Sequence, residues 1–158
     1  MRFVDKTGQI FDLVKLALET DSTRVISLFI DTTVIHNITH HGGRPKIVAE
    51  LRDHEERQFG VLNNFLTTLA AAKEGESNLL DRTQILYGTC MGSANSHSNV
   101  NLPVFLAGGG FKHGQHLAFD TKHNHNLATL YVSMLQRLGI GTDAFASAKT
   151  TLKGLELA

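Results

Sequence analysis

The segment RVISLFI, Arg24 to Ile30, constrains this chain more than any other. It is short, rich in β-branched and aromatic residues, and apolar at nearly every position. Alternation would mark a strand with one wet face. A continuous apolar run marks a strand covered on both faces. Two further segments read the same way, a strand over about 83–89 within RTQILYGTCMG and one over about 103–107 within PVFLAGGG, where Pro103 takes the tolerated first position. Helical patterns separate or follow them. Ile10, Leu13, Val14, Ala17 and Leu18 predict an amphipathic helix over roughly 8–20. Pro45 opens a long helix to about Lys73, with Ile47, Leu51, Leu62, Phe65 and Leu69 on one face and a bend expected near Gly60. Asn126 caps a third helix through Leu138, which Gly139 ends. Apolar strands alternating with helices predict an α/β fold, a mostly parallel sheet covered by helices, in one domain over 1–158. Three strands alone make a thin sheet with open edges, which points to a partial domain.

In open α/β sheets, ligands bind beyond the carboxyl ends of the strands. The segments after the three predicted strands hold His36, His40 and His41; then His97; then His113, His116, His123 and His125. Only His54 of the nine histidines lies elsewhere, on the long helix. If the strands run parallel, these segments share one edge of the sheet, and the residues predict a site there. Imidazole is the commonest protein ligand for zinc-like ions, and separate loops usually contribute three or four donors. His36 and His40 are four apart, so one helical turn aims both the same way. The Glu of an HExxH motif is absent, so the helical zinc-protease mechanism does not apply.

Other residues carry two readings each. Asp31 ends the first predicted strand as an oxygen ligand or as a group orienting a ligand. Asn95 and His97 share a face in an extended loop. His41, beside Gly42-Gly43, is read as a ligand contact or as a turn-stabilising hydrogen bond. Glu55 falls inside the apolar stripe of the long helix, where a salt bridge or a wet groove is favoured over a contact supporting the site. His54, His123 and His125 are read as ordinary surface or locally bonded side chains. Gly108-Gly109-Gly110 lacks the Lys of a P-loop and is read as backbone needing positive φ. Cys90 is read as a buried inert thiol in preference to a Cys-His nucleophile.

Composition narrows the partners. Fifteen basic and fifteen acidic residues cancel, so no general field attracts nucleic acid or an anionic membrane. A single cysteine excludes an internal disulfide and a cysteine-based zinc knuckle. No run of eighteen apolar residues occurs, so no transmembrane segment is expected. The N-terminal segment has neither the apolar core nor the cleavage site of a signal peptide.

HNITHH, His36 to His41, resembles the H-x-x-S-H-H signature of the HxxSHH-motif family of exported bacterial proteins (domain of unknown function 1552), with Thr39 in the serine place. The stretch from Leu79 to Phe119 resembles that family's second signature, and NLATLYVSMLQRLGI its closing helix. The resemblance spans nearly the whole chain and corresponds to the C-terminal part of the family's usual length. The family is similar in pattern to the alkaline-phosphatase and sulfatase superfamily, whose members cleave phosphate or sulfate esters with two metal ions. The resemblance therefore implies the C-terminal portion of an alkaline-phosphatase-like fold. It implies a divalent metal, with zinc favoured, held by His36, His40, His97 and His116. His41 and Asn95 would contact a small anionic ester or sugar sulfate, while Asp31 and Glu55 remain the supporting candidates read from the residues themselves. The Asp-His pair of that superfamily is not intact here, and the nucleophile would lie upstream of Met1. The family is usually exported through a twin-arginine signal, so the whole protein is expected to be periplasmic or otherwise exported. The rival expectations are a non-catalytic exported ligand-binding or structural protein, and an inactive truncated fragment.

Overall fold

The computed structural model describes residues 3–31, 33–155 and 157, and the side chains of all of these except 3–5 and 34. Its elements are α1 (Phe3–Glu19), a 3-10 turn (Thr33–Ile35), α2 (His36–Thr39), α3 (Pro45–Ala71), β1 (Lys73–Glu74), β2 (Ser77–Asn78), α4 (Leu79–Arg82), β3 (Gln84–Gly88), β4 (Val104–Gly108) and α5 (Ala128–Arg137). They fall into two compact units, Met1–Leu80 with Thr89–Leu102, and Asp81–Gly88 with Pro103–Ala158.

The first unit is built on α1 and α3. Pro45 stands at the head of α3, and the helix runs unbroken through Gly60. Its buried face is Leu62, Phe65 and Leu69, part of the stripe that the 3.6-residue period marks out. Phe11 of α1 stacks on Phe65, and Thr7 of the same helix is also buried. Ile10, Leu13 and Leu16 of α1 remain exposed, as do Val48 and Phe59 of α3. The hairpin of β1 and β2 closes the end of α3, with Lys73 opposite Asn78.

The second unit pairs β3 with β4, Gln84 opposite Gly108 and Gly88 opposite Val104. Val132 of α5 is fully buried with Ala128 and Ala148 beside it. The Gln84 amide donates to the Met134 carbonyl at 3.1 Å, which ties β3 to α5. Asn126 Oδ1 accepts the Ala128 N–H at 3.0 Å where α5 begins, and the Ile140 N–H closes back on the Leu135 carbonyl where it ends. Glu156 and Ala158 lie outside the described residues.

This architecture corrects the expected parallel sheet. The sheets among the described residues are two antiparallel pairs, so the parallel, helix-covered, alkaline-phosphatase-like layer is not what the chain forms. RVISLFI is not a strand. Val25 is 85% exposed and Phe29 92% exposed, and the backbone of residues 26–30 makes no hydrogen bond among the described residues. A strand exists only through a neighbour that takes up its N–H and C=O groups, and no segment among the described residues does so. The antiparallel pairing has a second consequence. The segments that leave β3 at Gly88 and β4 at Gly108 depart from opposite ends of one ribbon, so they do not share a sheet edge. No helix among the described residues is long and apolar enough to cross a membrane.

Candidate functional site

The site is assembled in the first unit by two turns. Asp31 starts one of them. Its Oδ1 accepts the Thr33 N–H at 2.8 Å and the Thr33 hydroxyl, which fixes the 3-10 turn leading into α2. Those two donors, the hydroxyl first, hold the Asp31 carboxyl below its ordinary titration range. The single turn of α2 then sets His36 edge to face against His40, ring centroids 4.8 Å apart. The chain reverses at 41–44, where the Arg44 N–H meets the His41 carbonyl at 3.0 Å. Gly42 and Gly43 have φ of +55° and +74°, the signature of a type I′ turn, which only residues without a Cβ adopt freely.

The second turn is the tip of a short hairpin. Ser93 and Ser98 pair across it, and the His97 N–H bonds the Ala94 carbonyl at 3.2 Å. His97 has φ of +52°, left-handed backbone for a residue with a side chain. Asn95 Oδ1 accepts the Gly42 N–H at 3.1 Å and joins the hairpin tip to the glycine turn across 53 residues of sequence. With the loops clamped, His97 Nε2 lies 3.1 Å from His40 Nε2, and the two rings meet edge to face. One imidazole donates and the other accepts, according to tautomer.

Two nitrogens on a tetrahedral zinc, each bound at about 2.0–2.1 Å, stand roughly 3.3 Å apart. The His40–His97 separation is close to that spacing, so this donor pair fits two positions of a zinc-like ion. His36 adds a third imidazole beside His40. No group of three or more His, Cys, Asp or Glu is poised to hold an ion among the described residues.

The remaining sequence-predicted residues are placed as follows. Asn95 clamps the loops. His41 Nδ1 accepts the Gly43 N–H at 3.0 Å. His116 lies in the second unit, exposed on the segment after β4. Glu55 is exposed on α3 and has no partner among the described residues. His113 bonds the Gly108 carbonyl at 3.0 Å, His123 sits by Asp120, and His125 packs on Phe119. Gly108, Gly109 and Gly110 all have positive φ. Cys90 is exposed, which corrects the expectation of a buried thiol.

Sequence reasoning missed Arg44, whose Nε donates to the His41 carbonyl at 3.0 Å and braces the turn. A signal was present. No Asp or Glu occurs between Asp31 and Glu50, or between Asp81 and Asp120, while Arg44 and Lys46 fall inside the first interval. Comparison with family models, with curated proteins and with solved structures finds no match to this chain.

Proposed function

We propose that this chain carries the histidine-bearing part of a metal-dependent hydrolase of sulfate or phosphate esters, of the HxxSHH kind. The observation that supports it best is the 3.1 Å approach of His40 Nε2 to His97 Nε2, two side chains 57 residues apart in sequence. His40 and His97 hold the ion, and His36 joins them by turning its ring. When bound, a divalent ion supplies Lewis-acid polarisation of the ester oxygens. Imidazole donors suit zinc, nickel or iron, and zinc is the first choice. On the same resemblance the protein is exported.

The test is zinc titration of the untagged chain by calorimetry, beside a screen of chromogenic sulfate and phosphate esters. One zinc per chain is expected, lost in His40→Ala and in His97→Ala, with turnover that a chelator abolishes. Zinc binding that survives both substitutions overturns the reading.

One observation favours a second reading, binding without turnover. The two segments that form the site contain no carboxylate between Asp31 and Glu50 or between Asp81 and Asp120 to serve as base or nucleophile. Zinc uptake with no ester cleaved would select it.

A further inference from the structure

The segment RVISLFI belongs to no sheet among the described residues, yet it keeps the form of a strand. No turn or bend interrupts Val25 to Ile30, and none of these residues has positive φ. Exposure alternates along it. Val25 and Phe29 stand 85% and 92% open, whereas Ile26 and Leu28 between them are 37% and 44% exposed. Odd positions therefore face solvent and even positions turn toward the chain, as the period of two requires.

The two backbone edges of the segment differ. Val25, Ser27 and Phe29 direct their N–H and C=O groups to one edge, and Ile26, Leu28 and Ile30 to the other. At the first edge the Thr23 hydroxyl accepts the Val25 N–H at 3.4 Å and donates to the Val25 carbonyl at 3.1 Å, which closes one end. At the second edge nothing among the described residues bonds the backbone of Ile26, Leu28 or Ile30. An open edge of this kind is a template for another strand. The chain also has surface to spare for one. It exposes 10817 Å². Folded monomers of its mass expose about 7,800 Å², and two separate globules of half that mass about 9,400 Å² together. The surplus over even the second figure, on the order of 1,000 Å², matches the roughly 800 Å² that each partner covers in a stable dimer.

We propose that the chain pairs with a second copy of itself through this edge, as an antiparallel ribbon centred on Ser27. The segment complements itself in that direction only. Antiparallel pairing carries Arg24 of each copy to the Asp31 end of the other, whereas parallel pairing sets Arg24 beside Arg24 and Asp31 beside Asp31, like charge on like charge. A two-fold axis at Ser27 sets Ile26 against Leu28 of the second copy as a hydrogen-bonded pair, which uses the open edge. Ser27 then stands opposite Ser27, and Val25 opposite Phe29, in the non-hydrogen-bonded pairs, where side chains come closest. Hydroxyl pairs and aromatic with β-branched pairs are the combinations that stabilise sheets. Val25 and Phe29, the most exposed apolar side chains of the segment, thereby cover each other.

The experiment measures the mass of the full chain by analytical ultracentrifugation over a range of concentrations. A reversible equilibrium between one chain and two is expected. Phe29→Glu changes an open side chain, so it should keep the native circular dichroism and weaken the dimer at least about tenfold. Cross-linking in a Cys90→Ser background then fixes direction and register. Ser27→Cys should oxidise to a disulfide-linked dimer, because facing Cα atoms of a non-hydrogen-bonded pair lie within disulfide reach. Val25→Cys should not, because it faces Phe29. A one-chain mass at every concentration overturns the proposal and leaves the edge to a strand of another kind. A dimer that Phe29→Glu leaves intact overturns it too. Val25→Cys cross-linking as readily as Ser27→Cys overturns it by showing parallel pairing, and growth beyond two copies overturns the two-fold closure.

Discussion

The ring of Phe11 lies on the ring of Phe65 with centroids 4.7 Å apart and planes 20° from parallel. This stack joins α1 to α3, and both residues are buried. Phe65→Ala removes the stack and leaves a cavity, so it should cost about 3–5 kcal/mol. Leu69→Ala, one turn on at a fully buried position, should cost about 2–5 kcal/mol. Urea unfolding followed by circular dichroism checks both. A change within experimental scatter of the native midpoint would mean that α1 and α3 do not pack through these residues.

At Gly110 the φ is +71°, and a Cβ there would stand 2.2 Å from Arg137 Nη2. Arg137 Nε already donates to the Gly109 carbonyl at 2.6 Å, so the guanidinium is not free to withdraw without loss. Gly110→Ala combines backbone strain with this clash and should destabilise the chain by about 1–3 kcal/mol. Gly42→Ala carries only the strain, because its Cβ meets nothing, and should cost less. Equal melting temperatures for the two variants would contradict this placement of Arg137.

His97 sits at φ of +52°, where a side chain costs about 1–2 kcal/mol. His97→Gly should therefore be more stable than His97→Ala by about 1 kcal/mol, while both lose the proposed zinc site. The separation of stability from binding is the readout. If alanine is tolerated as well as glycine, the backbone there is not left-handed.

Asp31 has a carboxyl whose folded-state pKa is depressed by the Thr33 hydroxyl and N–H. A depressed carboxyl contributes stability above its unfolded value of about 3.9 and loses that contribution as pH falls through the folded value. Asp120 is lowered likewise by the N–H groups of His123 and Lys122. Carbon-detected NMR titration should give midpoints below 3.9 for both. In Asp31→Asn the 31–35 turn should lose this part of its acid dependence. A midpoint at or above 3.9 for Asp31 would show that Thr33 does not donate to it.

Cys90 is exposed, so one equivalent of Ellman's reagent should react in the native chain without denaturant. A thiol that reacts only after unfolding would restore the buried reading.

The three longer helices, α1, α3 and α5, were legible in the sequence because their information is local. Pro45 marks where α3 starts, and Leu62, Phe65 and Leu69 recur with the helical period, so the buried face is readable from spacing alone. Asn126 and the turn at 139–140 bound α5 in the same way. The existence of β3 and β4 was legible too, but their direction was not. Parallel and antiparallel strands share one composition, and only the partner that accepts the hydrogen bonds decides. RVISLFI shows the limit most plainly, since its residues suit a buried strand and the backbone of residues 26–30 finds no partner among the described residues.

At the site, the sequence alone determined which chemistry is available: three histidines within six positions, a fourth near Asn95, and an interval without carboxylates. Tertiary structure alone decided which of them meet. The Gly42–Asn95 bond spans 53 residues and the His40–His97 approach 57, and no local period encodes either one. A side chain's type is a property of the chain, whereas the distance between two donors is set by every turn that closes the loop between them.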